Sequence, residues 1–391
     1  MPIVDMSDML NHAYRNRYAI GAFDVVSIDF LEGVVAAAEH CRAPIILSLA
    51  ESHFEHYDFE LLLAAVEKAA QRTSVPVAIH LDHGETYEMA CRAINLGCNG
   101  VMVDATAGGF EQNLTLTRKI AEMAHACGVT VEGELGYVPG VEGEDAERHP
   151  GEILYTTPEE AAEYVRTTGV DCLAVSIGTV HGRFQGEAQL DFERLAAINE
   201  NLGIPLVIHG GTGLTDAQFK KLIELGVTKI NYYTALSDAA AATVRARVAA
   251  DPRGGYTSQV REIRQAVRKE AERCIELWGG AGRAEELLQT CRPWQPVEHV
   301  IVYNVEGVSE TEVEQMMAEG KRVLATIPGV REVVCGQAIK EEASYRYAWL
   351  IRFTHPAVID SYREHPDHRA FADNHFRPVA GNRISIDYAR K

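Results

Sequence analysis

Three histidines each follow a β-rich segment and lie beside glycines or acidic residues. His83 occurs in H-L-D-H-G, His181 in G-T-V-H-G and His209 in I-H-G-G-T-G. A single histidine is more often a structural residue than a ligand, but three at the ends of different strands can converge on one point. Three neutral imidazoles with an open fourth position form a catalytic zinc site. The sequence therefore predicts one zinc ion bound by His83, His181 and His209.

Carboxylates and a fourth histidine lie close to these ligands in the sequence. His80 falls within its strand, on the same side as Asp82, and is better interpreted as a structural hydrogen-bonding residue. Asp104 ends the fourth β-rich segment, and Glu132 and Glu134 lie on the fifth. These acids have two equally good interpretations. They orient the histidines or hold a displaced metal, with Asp104 and Glu134 as a second metal position, or they form salt bridges inside a barrel.

Glycines and hydroxyl residues cluster after the last three β-rich segments. Loops after the seventh and eighth strands of a TIM barrel commonly bind phosphate through backbone N–H groups and hydroxyls. Glycine-rich turns alone are weak evidence, because glycine also permits tight loops, but these turns adjoin the candidate zinc ligands. The predicted phosphate-binding set consists of Gly182, Gly210, Gly211, Gly213, Asn231 and Thr234.

Eight short β-rich segments alternate with helical patterns over the first part of the chain. Several are continuous apolar runs, which are typical of parallel strands buried on both faces. Such an α/β pattern, with polar residues after strands all round the set, predicts a (βα)8 TIM barrel. A doubly wound open sheet is the alternative. The predicted strands are residues 19–23, 44–49, 76–81, 100–103, 129–135, 171–177, 205–209 and 228–232.

A second, smaller pattern follows the barrel. A charged helical stretch over residues 258–288 leads to a linker at 291–296, C-R-P-W-Q-P. The remaining residues read β-α-β-β-α-β, which is typical of a ferredoxin-like α+β domain, with a second helix over 356–365. The sequence thus predicts a barrel over residues 1–290 and a ferredoxin-like domain over residues 297–391.

Composition limits the class of protein and its partners. The chain of 391 residues has 37 Lys+Arg against 56 Asp+Glu, and a net charge of −19 argues against nucleic acid or a membrane as a partner. A hydrophobic fraction of 47% is enough for a sizeable core. No segment reads as a signal peptide or membrane span, and the cysteines form no C-x-x-C pair. We therefore expect a cytoplasmic protein with free thiols.

Over roughly residues 1–285 the sequence resembles the class II fructose- and tagatose-bisphosphate aldolases, or ketose-bisphosphate aldolases. The motifs are H-L-D-H, V-E-G-E-L-G, G-T-V-H-G, L-D-F-E-R-L, H-G-G-T-G and K-I-N-Y-Y-T. The resemblance implies a zinc-dependent lyase with Asp82 as acid/base at the aldehyde oxygen and Glu142 as the base for the donor proton. It allows a monovalent cation, Na⁺ or K⁺, and implies a homodimer or homotetramer. The residues implied around dihydroxyacetone phosphate are Gly182, Gly211, Thr212, Asn231 and Thr234.

The departures from this family lie around the aldehyde acceptor. At the position of Tyr233 the family has a residue that discriminates between sugar hydroxyl groups. At the position of Ser237 it has a basic residue that binds the distal phosphate. Arg183, or an arginine of a neighbouring chain, could restore the lost charge. We therefore expect the zinc and donor sites to be retained, and the acceptor to be a planar or apolar aldehyde rather than glyceraldehyde 3-phosphate. A family asparagine, a serine and two lysines are replaced by Asp24, Ala50, Gln185 and Gln189.

The tail resembles the stress-responsive dimeric α/β-barrel (Dabb) family over roughly residues 297–390, through E-H-V-I-V-Y, I-P-G-V-R and Y-R-E-H-P-D-H. Members pair face to face, which implies dimerisation through the sheet. In the polyketide cyclases of this family a tyrosine and a histidine act as acid and base, and Tyr362 and His368 match them. His299 lies on the first strand, where it can face the same cavity. A dimerisation module without chemistry is the alternative.

Three further hypotheses stand beside this aldolase. The first is a conventional fructose- or tagatose-bisphosphate aldolase, and the second is a bifunctional aldolase–cyclase that uses the tail. The third is a catalytically silent regulator that binds a sugar phosphate. Asp82 and Glu142 favour an enzyme, because a binding protein needs no acid/base pair beside its metal.

Overall fold

The computed structural model describes residues 2–140, 153–183 and 188–389. All eight cysteines are free thiols, and no helix in these ranges is long and apolar enough to cross a membrane. The chain divides into two compact units. The first consists of Met1–Ala90, Cys98–Ala121 and Thr130–Pro293, and the second of Cys91–Gly97, Glu122–Val129 and Trp294–Lys391.

The first unit contains a closed barrel of eight parallel strands, in which each strand pairs with the next and the eighth pairs with the first. The TIM barrel is confirmed, and the doubly wound open sheet is wrong. The third strand extends past its predicted end, so that it includes Asp82 and His83. The strands are β1 (Ile20–Asp24), β2 (Ile45–Ala50), β3 (Val77–Gly84), β4 (Gly100–Val103), β5 (Thr130–Leu135), β6 (Cys172–Val175), β7 (Leu206–Ile208) and β8 (Val227–Tyr232).

Helices connect and surround these strands, and several begin at a side-chain cap. Ser27, Asp58 and Thr157 each accept a hydrogen bond from a backbone N–H in the first turn that would otherwise lack a partner. The helices are α1 (Met6–Asn16), α2 (Ile28–Cys41), α3 (Phe59–Arg72), α4 (Tyr87–Leu96), α5 (Phe110–Ala126), α6 (Pro158–Thr168), α7 (Phe192–Leu202), α8 (Asp216–Glu224), α9 (Thr234–Ala250), α10 (Tyr256–Val260), α11 (Ile263–Leu277) and α12 (Ala284–Thr290).

The barrel interior has an apolar floor and a polar upper layer. Ala22, Ile46, Ala78 and Val207 belong to one buried cluster with residues of α1, which covers the N-terminal end of the barrel. Side chains on a strand alternate between its two faces, so the positions two residues further along the same strands also point inward. This second layer lies towards the carboxyl ends of the strands, where TIM barrels have their active sites. Its buried members are Asp24, Ser48, His80 and His209.

The segment that follows the barrel differs from the sequence prediction. Residues 258–288 do not form one helical stretch, because Gly279 and Gly282 adopt φ angles of 77° and 80° that end α11 before α12 begins. The start of the predicted linker is also fixed. The Arg292 side chain donates to Asp8 Oδ2 at 2.9 Å, and Pro293 forms an isolated β-bridge with Val4. Arg292 and Pro293 are therefore part of the barrel unit.

The second unit contains a four-stranded antiparallel sheet in the ferredoxin-like arrangement, in the order Val330–Gln337, Tyr347–Phe353, Val297–Val305 and Ala380–Ala389. Its helix predicted over 356–365 ends at Glu364, because Pro366 starts a further helix that the sequence analysis did not predict. The elements are β9 (Val297–Val305), α13 (Glu310–Leu324), β10 (Val330–Gln337), β11 (Tyr347–Phe353), α14 (Val358–Glu364), α15 (Pro366–Phe371) and β12 (Ala380–Ala389).

The two faces of this sheet differ in exposure. On one face, α13 lies so close that a Cβ on Gly320 would come within 2.5 Å of the buried Trp349 ring. On the other face, the strand register aligns four apolar side chains in one row across all four strands. Three of them are 40–43% exposed, which is unusual for aliphatic side chains in one row. The exposed row consists of Val334, Leu350, Val300 and Ile386.

Candidate metal and substrate site

The three histidines predicted as ligands meet at the carboxyl end of the barrel. His83, His181 and His209 each offer a ring nitrogen, and these atoms lie within 4.8 Å of one another. His83 Nε2 is 3.0 Å from His209 Nδ1. The three rings are strongly tilted to each other, with centroids 4.7, 5.2 and 5.7 Å apart. Nitrogens this close, presented from three different strand ends, form a donor set that can hold one metal ion.

An oxygen atom holds each of these rings in place. Such a partner fixes the orientation and the tautomer of a metal-binding histidine. Two of the partners are carboxylates for which the sequence left alternative roles open, and in the structure they orient histidines. The pairs are His83 Nδ1 with Asp104 Oδ2 at 2.8 Å, His209 Nε2 with Glu132 Oε1 at 3.1 Å, and His181 Nδ1 with the Val138 carbonyl oxygen at 3.1 Å.

The backbone at His83 lies in the left-handed region, with φ at 49°. In the described ranges, the other non-glycine residues with positive φ are Arg17 and Arg42, and both end helices. His83 instead lies inside β3, where the pairing with β4 shifts register between Leu81 and Gly84. A backbone outlier of this kind costs about 1–3 kcal/mol, and such residues concentrate at functional sites.

A second group of candidate ligands shares His83 with the first. His83, Asp104 and Glu134 bring three ligand atoms within 4.8 Å of one another. Glu134 Oε2 is buried, accepts no hydrogen bond from another described residue and lies 3.9 Å from His83 Nδ1. Burial and the nearby charge of Asp104 raise the pKa of Glu134 to about 8. The structure thus brings together the residues predicted as a second metal position, and a cation there would satisfy the Glu134 oxygen.

A lysine that the sequence analysis did not select lies at the centre of the polar layer. Lys229 and Glu132 are both fully buried, and Lys229 Nζ is 2.8 Å from Glu132 Oε2. Lys229 also donates a hydrogen bond to Asn231 Oδ1. Glu132 therefore has both proposed roles, since it forms a barrel salt bridge and orients His209. The available signal was a lysine in the middle of the apolar strand T-K-I-N-Y.

His80 behaves as the structural residue that its position predicts. It is fully buried, with Nδ1 3.1 Å from Ser48 Oγ and Nε2 3.5 Å from Glu132 Oε2. Burial and the charge of Lys229 lower the pKa of His80 to about 3, so the ring is neutral.

Asp82 faces the same space as the histidines and is only 2% exposed. Its Oδ1 accepts a hydrogen bond of 2.8 Å from Asn231 Nδ2, and its Oδ2 lies 4.0 Å from His83 Nε2. Burial opposes ionisation of this carboxyl group, but His83, His209 and Lys229 hold its pKa well below the ordinary range. Asp82 is therefore ionised.

Part of the set predicted to bind phosphate lies at the N-terminus of α9. Thr234 is the first residue of this 17-residue helix and is buried. Thr212 Oγ1 accepts a hydrogen bond of 3.2 Å from the backbone N–H of Ala235. Gly211 lies against β8, since a Cβ there would be 3.3 Å from Ile230 Cγ2. Backbone N–H groups at a helix N-terminus attract anions.

Two glycines allow the loops that carry the ligands to touch. The Val180 carbonyl group occupies the position that a Cβ on Gly210 would take, and the His181 carbonyl oxygen does the same for Gly140. Both glycines have positive φ, 71° at Gly210 and 105° at Gly140, which other residues rarely adopt. The loops after β5, β6 and β7 are consequently in direct backbone contact. Gly182, also predicted for phosphate, follows His181 with φ at 84°.

The residues that replace the family's acceptor set lie around the start of α9. The Tyr233 ring is 4.5 Å from the His53 ring, and Ser237 is half-buried one turn further on. Next to Ser237, Asp238 accepts a hydrogen bond of 2.9 Å from Arg183 Nε. Arg183 is thus paired with a carboxylate. Glu142 and Gln185 lie outside the described residues.

The tail residues predicted as candidates also come together. The Tyr362 ring lies 4.3 Å from the His368 ring and 6.2 Å from the His299 ring. His299 Nδ1 is 2.7 Å from Asp387 Oδ1, a partner that the sequence analysis did not identify. Burial lowers the pKa of His368 and raises that of Tyr362. The second unit therefore has its own cluster of groups that could exchange protons.

Two family models match the chain. The model described as class-II fructose-bisphosphate aldolase matches residues 4–283, and the model described as stress responsive A/B barrel domain matches residues 297–390. The two matches occupy the parts of the sequence that contain the barrel and the four-stranded sheet.

Curated and solved relatives are similar to the first match. A fructose-bisphosphate aldolase of Geobacillus stearothermophilus is 41% identical over 256 residues, 64% of this chain and 88% of that protein. A fructose-bisphosphate aldolase of Staphylococcus aureus is 36% identical over 293 residues, 73% of this chain and 100% of that protein. The crystal structure of the YdjI aldolase from Escherichia coli K12 is 35% identical, with a TM-score of 0.63 over 72% of this chain and 99% of that chain.

Proposed function

Because the chain belongs to the class II fructose-bisphosphate aldolase family and is therefore a lyase, we propose that it uses zinc to join dihydroxyacetone phosphate, or a close analogue, to an aldehyde other than glyceraldehyde 3-phosphate. One observation carries the proposal. His83, His181 and His209 converge beside Asp82, a buried carboxylate, so a metal and an acid/base group share one space.

The residues present fit a zinc ion. Three imidazole nitrogens from three strands match a catalytic zinc site with one position open for substrate. When bound, zinc supplies a Lewis acid that polarises the donor carbonyl group. His83, Asp104 and Glu134 offer the second position, which the buried Glu134 oxygen supports. The family resemblance adds Na⁺ or K⁺ as a monovalent ion of the site.

In the cleavage direction, the proton transfers follow from the residues of this chain. The Asp82 carboxylate takes the proton from the hydroxyl group that becomes the aldehyde oxygen, while Asn231 Nδ2 holds Asp82 in position. The carbon–carbon bond breaks, the aldehyde leaves, and the electron pair stays on the donor carbon as an enediolate. Glu142, in its protonated form, returns a proton to that carbon. Condensation reverses each transfer.

The donor phosphate is proposed to bind at the start of α9. Thr234 and Thr212 supply hydroxyl groups, and the first N–H groups of the helix point outward from its N-terminus. The glycines allow a phosphate group to approach the backbone closely. The proposed set is Gly182, Gly210, Gly211, Thr212, Asn231 and Thr234.

The acceptor is proposed to differ because the basic residue that meets the second phosphate in the family is replaced in this chain. Ser237 offers a hydroxyl group where the family has a basic side chain, and a charge-assisted hydrogen bond is worth about 1.5–3 kcal/mol. Arg183 does not restore the charge, because Asp238 already binds it. Tyr233 adds a bulky ring to the same region.

Kinetics separate this proposal from its alternatives. The test compares kcat/KM for fructose and tagatose bisphosphates with an aldehyde panel run in the condensation direction. Turnover of either bisphosphate at about 10⁴ M⁻¹s⁻¹ or better would identify a conventional aldolase. Deuterium exchange at the donor carbon of dihydroxyacetone phosphate identifies an enzyme even without the right aldehyde. A silent regulator would bind this donor without exchange, and Glu142→Ala should abolish exchange in an aldolase.

The tail is proposed to pair with a second copy of itself through the exposed row of Val334, Leu350, Val300 and Ile386. Solvent-exposed aliphatic residues aligned on one sheet face favour a self-complementary contact, so the assembly is a homodimer or homotetramer. The cluster of Tyr362, His368 and His299 keeps the bifunctional aldolase–cyclase as a second candidate. The cytoplasm, which keeps thiols reduced, is the compartment we propose.

A further inference from the structure

The loop after β2 brings aromatic and polar side chains to the acceptor side of the barrel mouth. A short turn over Glu51–His53 buries the His53 ring, which lies 4.5 Å from the Tyr233 ring. Four residues on, the Tyr57 ring packs edge-on against Phe54 at 5.9 Å. Phe54 in turn stacks on Phe59, the buried first residue of α3, at 4.2 Å. The loop is therefore held by its own rings.

Asp24 lies at the same end of the barrel. It is the last residue of β1 and is 2% exposed. Phe23 of β1 pairs with Tyr232 of β8. The residues that follow this pair, Asp24 and Tyr233, therefore lie at the ends of two adjacent strands. Burial raises the pKa of Tyr57, and the neighbouring Asp24 and Tyr233 raise it further, so the Tyr57 hydroxyl group stays protonated. We call Asp24, His53, Tyr57 and Tyr233 the acceptor cluster.

The Tyr57 hydroxyl oxygen is buried and has no hydrogen-bond partner in the described parts of the chain. A buried polar group without a partner is unfavourable by about 1–3 kcal/mol, so most such groups in folded proteins are satisfied. A ligand hydroxyl group would satisfy Tyr57. An alkyl chain in the same place would leave it without a partner.

The charge of the acceptor cluster excludes a phosphate. It contains the acidic side chain of Asp24 and no lysine or arginine, and Arg183, the cation predicted for this side, is bound by Asp238. A phosphate group placed there would meet a like charge in a site largely shielded from water, where Coulomb repulsion is strong.

We infer that the acceptor cluster recognises hydroxyl groups, with Tyr57 and His53 as specificity-determining residues, and that the acceptor is an uncharged, short hydroxyaldehyde. The inference rests on the proposed function, and it narrows the acceptor to a hydroxylated aldehyde, in place of the planar or apolar aldehyde expected from the sequence. A site built to bind a substrate hydroxyl group rejects analogues that lack it much more strongly than an apolar pocket rejects an added methylene.

The test measures condensation of dihydroxyacetone phosphate with four acceptors: glyceraldehyde, glyceraldehyde 3-phosphate, propanal and benzaldehyde. For the zinc-loaded full chain, kcat/KM for glyceraldehyde should exceed each of the others by at least tenfold. Tyr57→Phe should lower kcat/KM for glyceraldehyde tenfold or more and change that for propanal less than twofold. Asp24→Asn should raise the ratio of the phosphorylated to the unphosphorylated glyceraldehyde about tenfold, because it removes the like charge.

Tyr256→Phe is the matched control, since Tyr256 is 78% exposed and lies outside the cluster. Deuterium exchange at the donor carbon distinguishes failure of the proposed function from failure of the acceptor assignment. Without exchange in the unaltered protein, the proposed function fails. With exchange present, a preference for benzaldehyde or propanal, or an equal loss for glyceraldehyde and propanal in Tyr57→Phe, would overturn the acceptor assignment alone.

Discussion

Lys229 and Glu132 form an ion pair of 2.8 Å in the centre of the barrel, and neither side chain is exposed to solvent. The pair connects the metal-binding part of the site to the acid/base group. Glu132 orients the candidate ligand His209, and Lys229 donates to Asn231, which holds Asp82. A metal ligand and an acid/base group are thus linked through one buried pair.

Lys229→Met should therefore destabilise the barrel strongly, because it leaves the Glu132 carboxylate buried without its counter-charge. Breaking one partner of a buried ion pair costs about 3–5 kcal/mol. Denaturant unfolding of the barrel unit, followed by tryptophan fluorescence, measures the loss. The double variant Lys229→Met, Glu132→Gln removes the unpaired buried charge and should recover part of the lost stability. A double variant less stable than the single one would contradict this account.

His83, His181 and His209 should bind one zinc ion per chain. Metal analysis of the triple alanine variant after dialysis should find the ion lost, since three of four ligands are gone. His40→Ala is the control, because His40 lies exposed on the last turn of α2. Retention of one zinc per chain by the triple variant would show that the ion binds elsewhere.

Asp82→Ala should reduce carbon–carbon cleavage of the true substrate by about 10²–10⁴-fold, the usual contribution of a general acid/base group. Zinc content and donor-carbon exchange should survive, because Asp82 contributes to neither. Glu224→Ala, at a 62% exposed side chain, controls for removal of a carboxylate. A loss smaller than tenfold would assign the proton transfer to another group.

Leu350→Asp combined with Ile386→Asp should halve the assembly measured by light scattering, because charges on the exposed row oppose pairing of two tails. Ile339→Asp is the matched control, since Ile339 is fully exposed at 100% and lies outside the strands. Truncation after Pro293, the last residue of the barrel unit, should have the same effect as the double variant. If the assembly is unchanged in both the double variant and the truncated chain, the barrel unit alone is responsible for association.

The sequence predicted the parts of the site that depend on strand ends. His83, His181 and His209 could be placed together because eight parallel strands bring their carboxyl ends to one rim. Asp104 could be placed there too, but its role depended on a 2.8 Å contact with His83 that spacing does not specify. Whether such a carboxylate orients a metal ligand or forms a salt bridge depends on atomic contacts between residues that are far apart in the sequence.

The residues that were missed lack such a positional rule. Lys229 lies within an apolar strand, and its partner is 97 residues away, so only the closed barrel reveals the pair. His53 and Tyr57 lie in a loop, whose path is set by its own ring packing rather than by periodicity. In the tail, Pro366 begins a helix directly after His365, and the sequence pattern of apolar residues does not mark the break.

The backbone contacts at Gly210 and Gly140 have a consequence for how this protein can evolve. Gly140 belongs to no proposed ligand set, and Gly210 only to the proposed phosphate set, yet a side chain at either would displace the backbone that carries His181. At Gly210 the displacement would also reach His209, its chain neighbour. Substitutions at these two positions should therefore be tolerated as poorly as substitutions of the metal ligands. A deep mutational scan would read them as catalytic, although their role is to leave space for a neighbouring carbonyl group.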